Sequence, residues 1–130
     1  MSMGRGELTL ERRAHVHSAK PMRHALTAFL AALDVPESEQ VGVITAVGEA
    51  LANAVEHAYR DSEVRDVSLR ARLDADGTLA VDVVDGGRHT TAVQQIDRGF
   101  GLRIMRAIAQ SVKMDASDGT ALRMFFKLSA

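Results

Sequence analysis

Residues Glu49 to Tyr59 read EALANAVEHAY and close a long apolar-periodic segment. Ile44, Val47, Leu51, Val55 and Ala58 recur at helical spacing, which predicts a helix from Ser38 to Tyr59. Glu49, Asn53 and His57 stand at i, i+4 and i+8, within about 80° of one another on the side opposite that stripe. Such a face is either a solvated polar surface or a set of groups aimed at one volume. A solvated face more usually carries Lys and Glu in i, i+4 pairs. Gly48, Ala50, Ala52 and Ala54 alongside leave room for something to approach closely.

Upstream, residues 8–17 alternate weakly and predict a first strand that includes His15 and His17. Ser18 stands as a candidate helix cap, and Pro21 suits a first helical turn because its missing N–H is not needed there. Met22, Ala25, Leu26, Phe29, Leu30 and Leu33 then form one apolar stripe of a first helix. Asp34-Val35-Pro36-Glu37 ends it and opens the next, with acidic groups in the first turn.

Downstream, residues 66–73 alternate at period two, Asp74-Ala75-Asp76-Gly77 supplies turn chemistry, and Thr78 to Asp85 alternates again, which predicts a hairpin. Residues 86–98 are polar and unpatterned. Leu102, Met105, Ile108 and Ala109 mark one face of a third helix, and 112–116 with 120–128 predict a closing hairpin. The fold class expected is α+β: a two-layer α/β sandwich with helices on one face of a mixed, mostly antiparallel sheet. One domain over 1–130 is expected, with 1–7 a flexible N-terminal end.

The composition excludes more than it selects. The 130 residues carry 16 basic and 17 acidic side chains, 46% apolar residues and no cysteine. Disulfides, thiolate metal sites and a thiol nucleophile are excluded. A near-neutral charge without a basic cluster argues against nucleic acid or an anionic membrane as direct partner. No apolar run approaches the roughly 18–20 residues of a membrane span. The first residues lack the apolar core of a signal peptide, so a cytoplasmic protein is expected. The five histidines have no metal-ligand spacing.

Two further groups stand out. Asp85 is in register with Leu79, Val81 and Val83, so it points to the buried side of its strand, where a carboxylate needs a partner. Gly86 and Gly87 follow it and free the backbone to pass close to a ligand; an ordinary turn is the alternative. Gly99-Phe100-Gly101 opens the third helix, where free N–H groups at the positive end of the helix dipole suit an anion. By itself a GxG is equally a simple joint.

In order and spacing, Glu49-x3-Asn53-x3-His57, Asp85-x-Gly87, Gly99-x-Gly101-Leu102 and Gly119-Thr120 resemble the nucleotide site of the GHKL (Bergerat-fold) ATPase superfamily. The resemblance runs from about residue 8 to 128 and is closest to the bacterial anti-sigma-factor serine/threonine kinases. It implies that Asn53 holds magnesium through its side-chain carbonyl and that Glu49 is the base for the attacking hydroxyl. Asp85 would recognise the adenine amine, with Gly87 beside it. Gly99, Gly101 and Leu102 would line the phosphates of ATP or ADP. His57, Arg98 and Thr120 fall at further ATP-binding positions, Thr120 near adenine. Arg23 matches a partner-contacting position, although a solvated helix-edge arginine reads the same. The implied partners are a sigma factor and a STAS-domain antagonist phosphorylated on serine or threonine, in a homodimeric regulator of transcription and stress response.

One region departs from the pattern. Asp85-Gly86-Gly87-Arg88-His89 lacks the last glycine of the family's Asp-x-Gly-x-Gly box, and only 11 residues separate Gly87 from Gly99. A short lid covers phosphates poorly and admits water, with Arg88 and Arg98 as candidate compensating clamps. Two alternatives follow: a nucleotide-binding interaction switch without efficient phosphotransfer, and the catalytic domain of a histidine kinase. The latter needs an upstream phospho-accepting hairpin, and only about 20 residues precede the first helix.

Overall fold

Two strands, β3 (Asp66–Leu73) and β4 (Thr78–Asp85), pair antiparallel in the register Leu69↔Val83, Ala71↔Val81 and Leu73↔Leu79. The computed structural model describes residues 2–4, 6–15, 17–60, 66–85, 101–115 and 120–129, with 2–4, 57–60 and 120 as backbone. Period-two alternation puts Val67, Leu69, Ala71, Leu79, Val81 and Val83 on one buried face. The hairpin turn uses Gly77 at φ +87°, and the Gly77 N–H donates to Asp74 O at 3.1 Å. A Cβ at Gly77 would also stand 2.9 Å from Leu128 O, so the position demands glycine twice over.

The other strands are β1 (Ser2–Gly4), β2 (Glu7–Arg13), β5 (Ser111–Asp115) and β6 (Thr120–Lys127), in the order β1-β2-β3-β4-β6-β5. Every pairing among the described residues is antiparallel, which corrects the expectation of a mixed sheet. The reason is topological. Helices α1 (Ala19–Ala32) and α2 (Glu37–Arg60) come as a pair between β2 and β3, so the chain returns reversed. Helix α3 (Gly101–Ile108) lies between β4 and β5 in the chain; these two strands share a direction, but β6 lies between them in the sheet. The N-terminal end expected to be flexible contributes β1, paired through Met3↔Leu8.

The first strand stops at Arg13, short of the expected 8–17, and leaves His15 and His17 outside it. The Ser18 hydroxyl donates to Arg13 O at 2.7 Å and its N–H to His15 O at 2.8 Å, which turns the chain into α1. Ser18 therefore makes no side-chain cap; its backbone is already helical at φ −73°, ψ −32°.

The helices cover one face of the sheet, α1 against β2 and α2 across β3, β4 and β6. On α1 the buried residues are Ala19 and, as its stripe predicts, Met22, Leu26, Phe29 and Leu30. On α2 they are Val43, Ala46, Val47, Ala50, Leu51, Ala54 and Val55. The alanines belong to the core, where their size lets the helix lie close to the strands. On α3 Ile108 stays 38% exposed instead of joining Leu102 and Met105 inside. No helix among the described residues is long and apolar enough to cross a membrane.

Candidate functional site

Glu49 and Asn53 lie one turn apart on α2, and both are half-buried. They do not form a solvated face, because the first turn of α3 lies over them. A Cβ built on Gly101 would stand 3.1 Å from Asn53 Nδ2 and 3.3 Å from Glu49 Oε2. Non-bonded heavy atoms pack best at about 3.5–4.0 Å, so a methyl group here would push the Asn53 and Glu49 side-chain ends aside by a few tenths of an ångström.

The Asn53 Nδ2 is buried and has no hydrogen-bond partner among the described residues. Leaving such a donor unmade costs about 1–3 kcal/mol. A polar group held this way beside a carboxylate is what a ligand-completed site requires.

Asp85 ends β4 on the buried side at 2% exposure, as its register predicts. Its backbone neighbours across the sheet are Val67 and Thr120. Asp85 and Thr120, predicted to share the adenine end, are thereby adjacent across β4 and β6. Leu102 is buried in the core cluster beside Met105. The His57 backbone lies in α2, while its side chain, together with Gly87, Arg88, Arg98 and Gly99, lies outside the described residues.

Arg23 of α1 is half-buried, and its stem runs over α2: a Cβ on Gly48 would stand 3.1 Å from Arg23 Cδ. The small residues beside Glu49 therefore serve two approaches, Arg23 at Gly48 and the sheet at Ala50 and Ala54. Sequence reasoning missed that division, because alanine in a helix carries no directional signal. On the outer face of the sheet, Arg123 clamps Asp82 with Nε to Oδ1 at 2.6 Å and Nη2 to Oδ2 at 3.0 Å. That bidentate contact holds the Arg123 guanidinium above its ordinary value, chiefly through the hydrogen bonds to Asp82.

Helices layered on one side of an antiparallel sheet, with polar groups gathered between two helices, define a two-layer α+β domain with a candidate site between those helices. The family model described as "Histidine kinase-like ATPase domain" matches residues 13–126, and the chain belongs to that family. Among curated relatives, an anti-sigma F factor of Pasteuria penetrans is 32% identical over 123 residues, covering 83% of this chain and 81% of the relative. One from Caldanaerobacter subterraneus subsp. tengcongensis is 27% identical over 116 residues, covering 78% and 80%. The solved RsbU and RsbW domains of Rv1364c from Mycobacterium tuberculosis match with a TM-score of 0.77 at 25% identity, over 95% of this chain and 33% of that one. In the SiaB–SiaC complex from Pseudomonas aeruginosa, a chain matches with a TM-score of 0.69 at 15% identity, over 94% and 90%, and supports the fold alone.

Proposed function

We propose that the protein is an ATP-dependent serine/threonine kinase that acts as an anti-sigma factor. In this reading it binds a sigma factor and phosphorylates a STAS-domain antagonist. The observation that carries the reading is the buried Asn53 Nδ2, without a partner among the described residues, beside Glu49 under Gly101. Family membership and the anti-sigma F relatives support it.

The residues fit a magnesium nucleotide. Among the described residues no three His, Cys, Asp or Glu side chains converge on a metal. Magnesium is commonly held by one or two protein oxygens together with substrate phosphates, which suits a lone Asn53 carboxamide oxygen. Bound there, the ion would neutralise phosphate charge, the main demand of phosphoryl transfer. Glu49 orients the antagonist's hydroxyl and accepts its proton at a carboxylate oxygen as the new O–P bond forms and the bond from the γ-phosphorus to the β–γ bridging oxygen breaks, with ADP as the leaving group. Asp85 accepts a hydrogen bond from the adenine amine, with Thr120 beside it. His57, Gly87, Arg98, Gly99, Gly101 and Leu102 complete the nucleotide site, and Arg23 contacts the partner protein. The protein works as a cytoplasmic homodimer and a transcription regulator, without direct contact to nucleic acid.

The 11 residues between Gly87 and Gly99 favour a second reading, a nucleotide-gated binding switch without efficient transfer. Incubation with labelled ATP, magnesium and a candidate antagonist separates the two. Transfer to the antagonist, reduced about 10²–10⁴-fold in Glu49→Gln while nucleotide binding persists, is the kinase outcome. Tight partner binding with no transfer in the parent protein overturns the kinase claim.

A further inference from the structure

Helices α2 and α3 run antiparallel and meet through a glycine at each end of their contact. At one end Gly42 of α2 faces Ile108 of α3, and a Cβ on Gly42 would be 3.3 Å from Ile108 Cγ2. At the other end Gly101 of α3 faces Asn53 and Glu49. The two contacts differ in what yields to a methyl group. Ile108 is 38% exposed, so its side chain has solvent to yield into, and no chemical role is proposed for it. Against Gly101 the nearest atoms are Asn53 Nδ2 and Glu49 Oε2, the ends of two side chains with proposed chemical roles.

Backbone conformation does not call for glycine at 101. Among the described glycines only Gly6 and Gly77 have positive φ. Position 101 is the first residue of a helix, where alanine is the better helix former. What glycine supplies there is space.

We infer that Gly101 is a positioning residue: its missing side chain sets where the Glu49 carboxylate and the Asn53 carboxamide stand beneath α3. The inference rests on the nucleotide-site reading above and adds a role distinct from lining phosphates. A methyl at 101 leaves α3 intact and displaces the two side-chain ends by a few tenths of an ångström. Because a misplacement of about 1 Å costs on the order of 10²-fold, the expected effect is about tenfold.

The test uses the full chain and four variants: Gly101→Ala, Gly42→Ala, Asn53→Ala and the double variant Gly101→Ala with Asn53→Ala. In nucleotide-free, nitrogen-15-labelled protein, the Asn53 side-chain NH2 pair is identified by its loss in Asn53→Ala. Gly101→Ala is expected to move that pair and Gly42→Ala to leave it in place. By calorimetry, the gain in ATP affinity from magnesium over EDTA falls about tenfold in Gly101→Ala, with affinity in EDTA changed less than about twofold. Adding Gly101→Ala to Asn53→Ala changes the magnesium gain no further, as expected for residues acting through one another. The thermal midpoint of Gly101→Ala is equal to or above the parent's.

An unmoved amide pair overturns the inference. So does an equal loss of affinity with and without magnesium, which means that the methyl blocks the phosphates directly. If the parent protein binds no ATP, the proposed function itself fails, and the inference falls with it. If the parent binds ATP with magnesium and Gly101→Ala matches it, only the inference fails.

Discussion

Arg23 of α1 crosses α2 at Gly48, with only 3.1 Å between Arg23 Cδ and the place where a Gly48 Cβ would stand. A long cationic side chain buries its stem on a neighbouring surface and presents its charged head to water or a partner. Gly48 thus sets the height at which the guanidinium emerges, one residue before Glu49. Arg23→Ala is expected to weaken binding of a cognate sigma factor about tenfold, the loss typical of an interfacial arginine anchor. Gly48→Ala lifts the stem and weakens binding by less, and in an Arg23→Ala background it has no effect. Calorimetric titration of the four proteins checks this. An undiminished affinity in Arg23→Ala removes that residue from the interface.

The Asn53 amide carries an opposing pair of consequences. As a buried donor without a partner among the described residues it lowers the stability of the nucleotide-free protein, and deleting it relieves that cost. Asn53→Ala is therefore expected to keep its thermal midpoint or raise it by up to about 4 °C, while magnesium-dependent ATP binding is lost. Differential scanning calorimetry without ligand, followed by ATP titration with and without magnesium, measures both. Unchanged ATP affinity would show that Asn53 is not the metal ligand.

Asp85 sits at 2% exposure at the end of an otherwise apolar strand face. A buried carboxylate accepts hydrogen bonds only, so it suits the exocyclic amine of adenine and repels the carbonyl oxygen that guanine has in that place. The parent protein should prefer ATP to GTP. Asp85→Asn should lose about tenfold or more in ATP affinity, the loss expected for one hydrogen bond to a charged acceptor. Equal affinity of the parent for the two nucleotides would count against the assignment.

What was legible in the sequence follows the range of each signal. The β3–β4 hairpin is local: strict alternation over 66–73 and 78–85 with Asp76-Gly77 between leaves one sensible register. Asp85 was placed inward by the same period-two rule. The order β4-β6-β5 is not local, since β6 separates two strands that a helix connects, and no pattern within either strand announces it. The Glu49 and Asn53 face was ambiguous for the same reason. Its cover comes from α3, about fifty residues later, and only the folded chain turns a polar helix face into a half-buried pocket wall. Ser18 misled because a serine ahead of an apolar stripe reads as a cap, while its backbone is already helical and its hydroxyl donates to the Arg13 carbonyl instead of accepting from a first-turn N–H.

Acid dependence offers a check far from the site. The Asp76 carboxyl is held below its ordinary value of 3.8, first by the Thr78 N–H, which donates to Oδ1 at 3.0 Å, and then by the Thr78 side chain and Lys127. A carboxyl depressed in the folded state contributes stability above its unfolded value and loses it as the pH falls through the folded one. The group is fully exposed, so its contribution is small and screened. Asp76→Ala should destabilise the protein slightly at neutral pH by loosening the 74–78 turn. The difference from the parent should shrink once the pH drops below 3.8 and vanish at the acid end. Urea melts of the two proteins across that range measure the gap. A gap that stays constant into strong acid would mean that the aspartate acts through turn geometry and not through its charge.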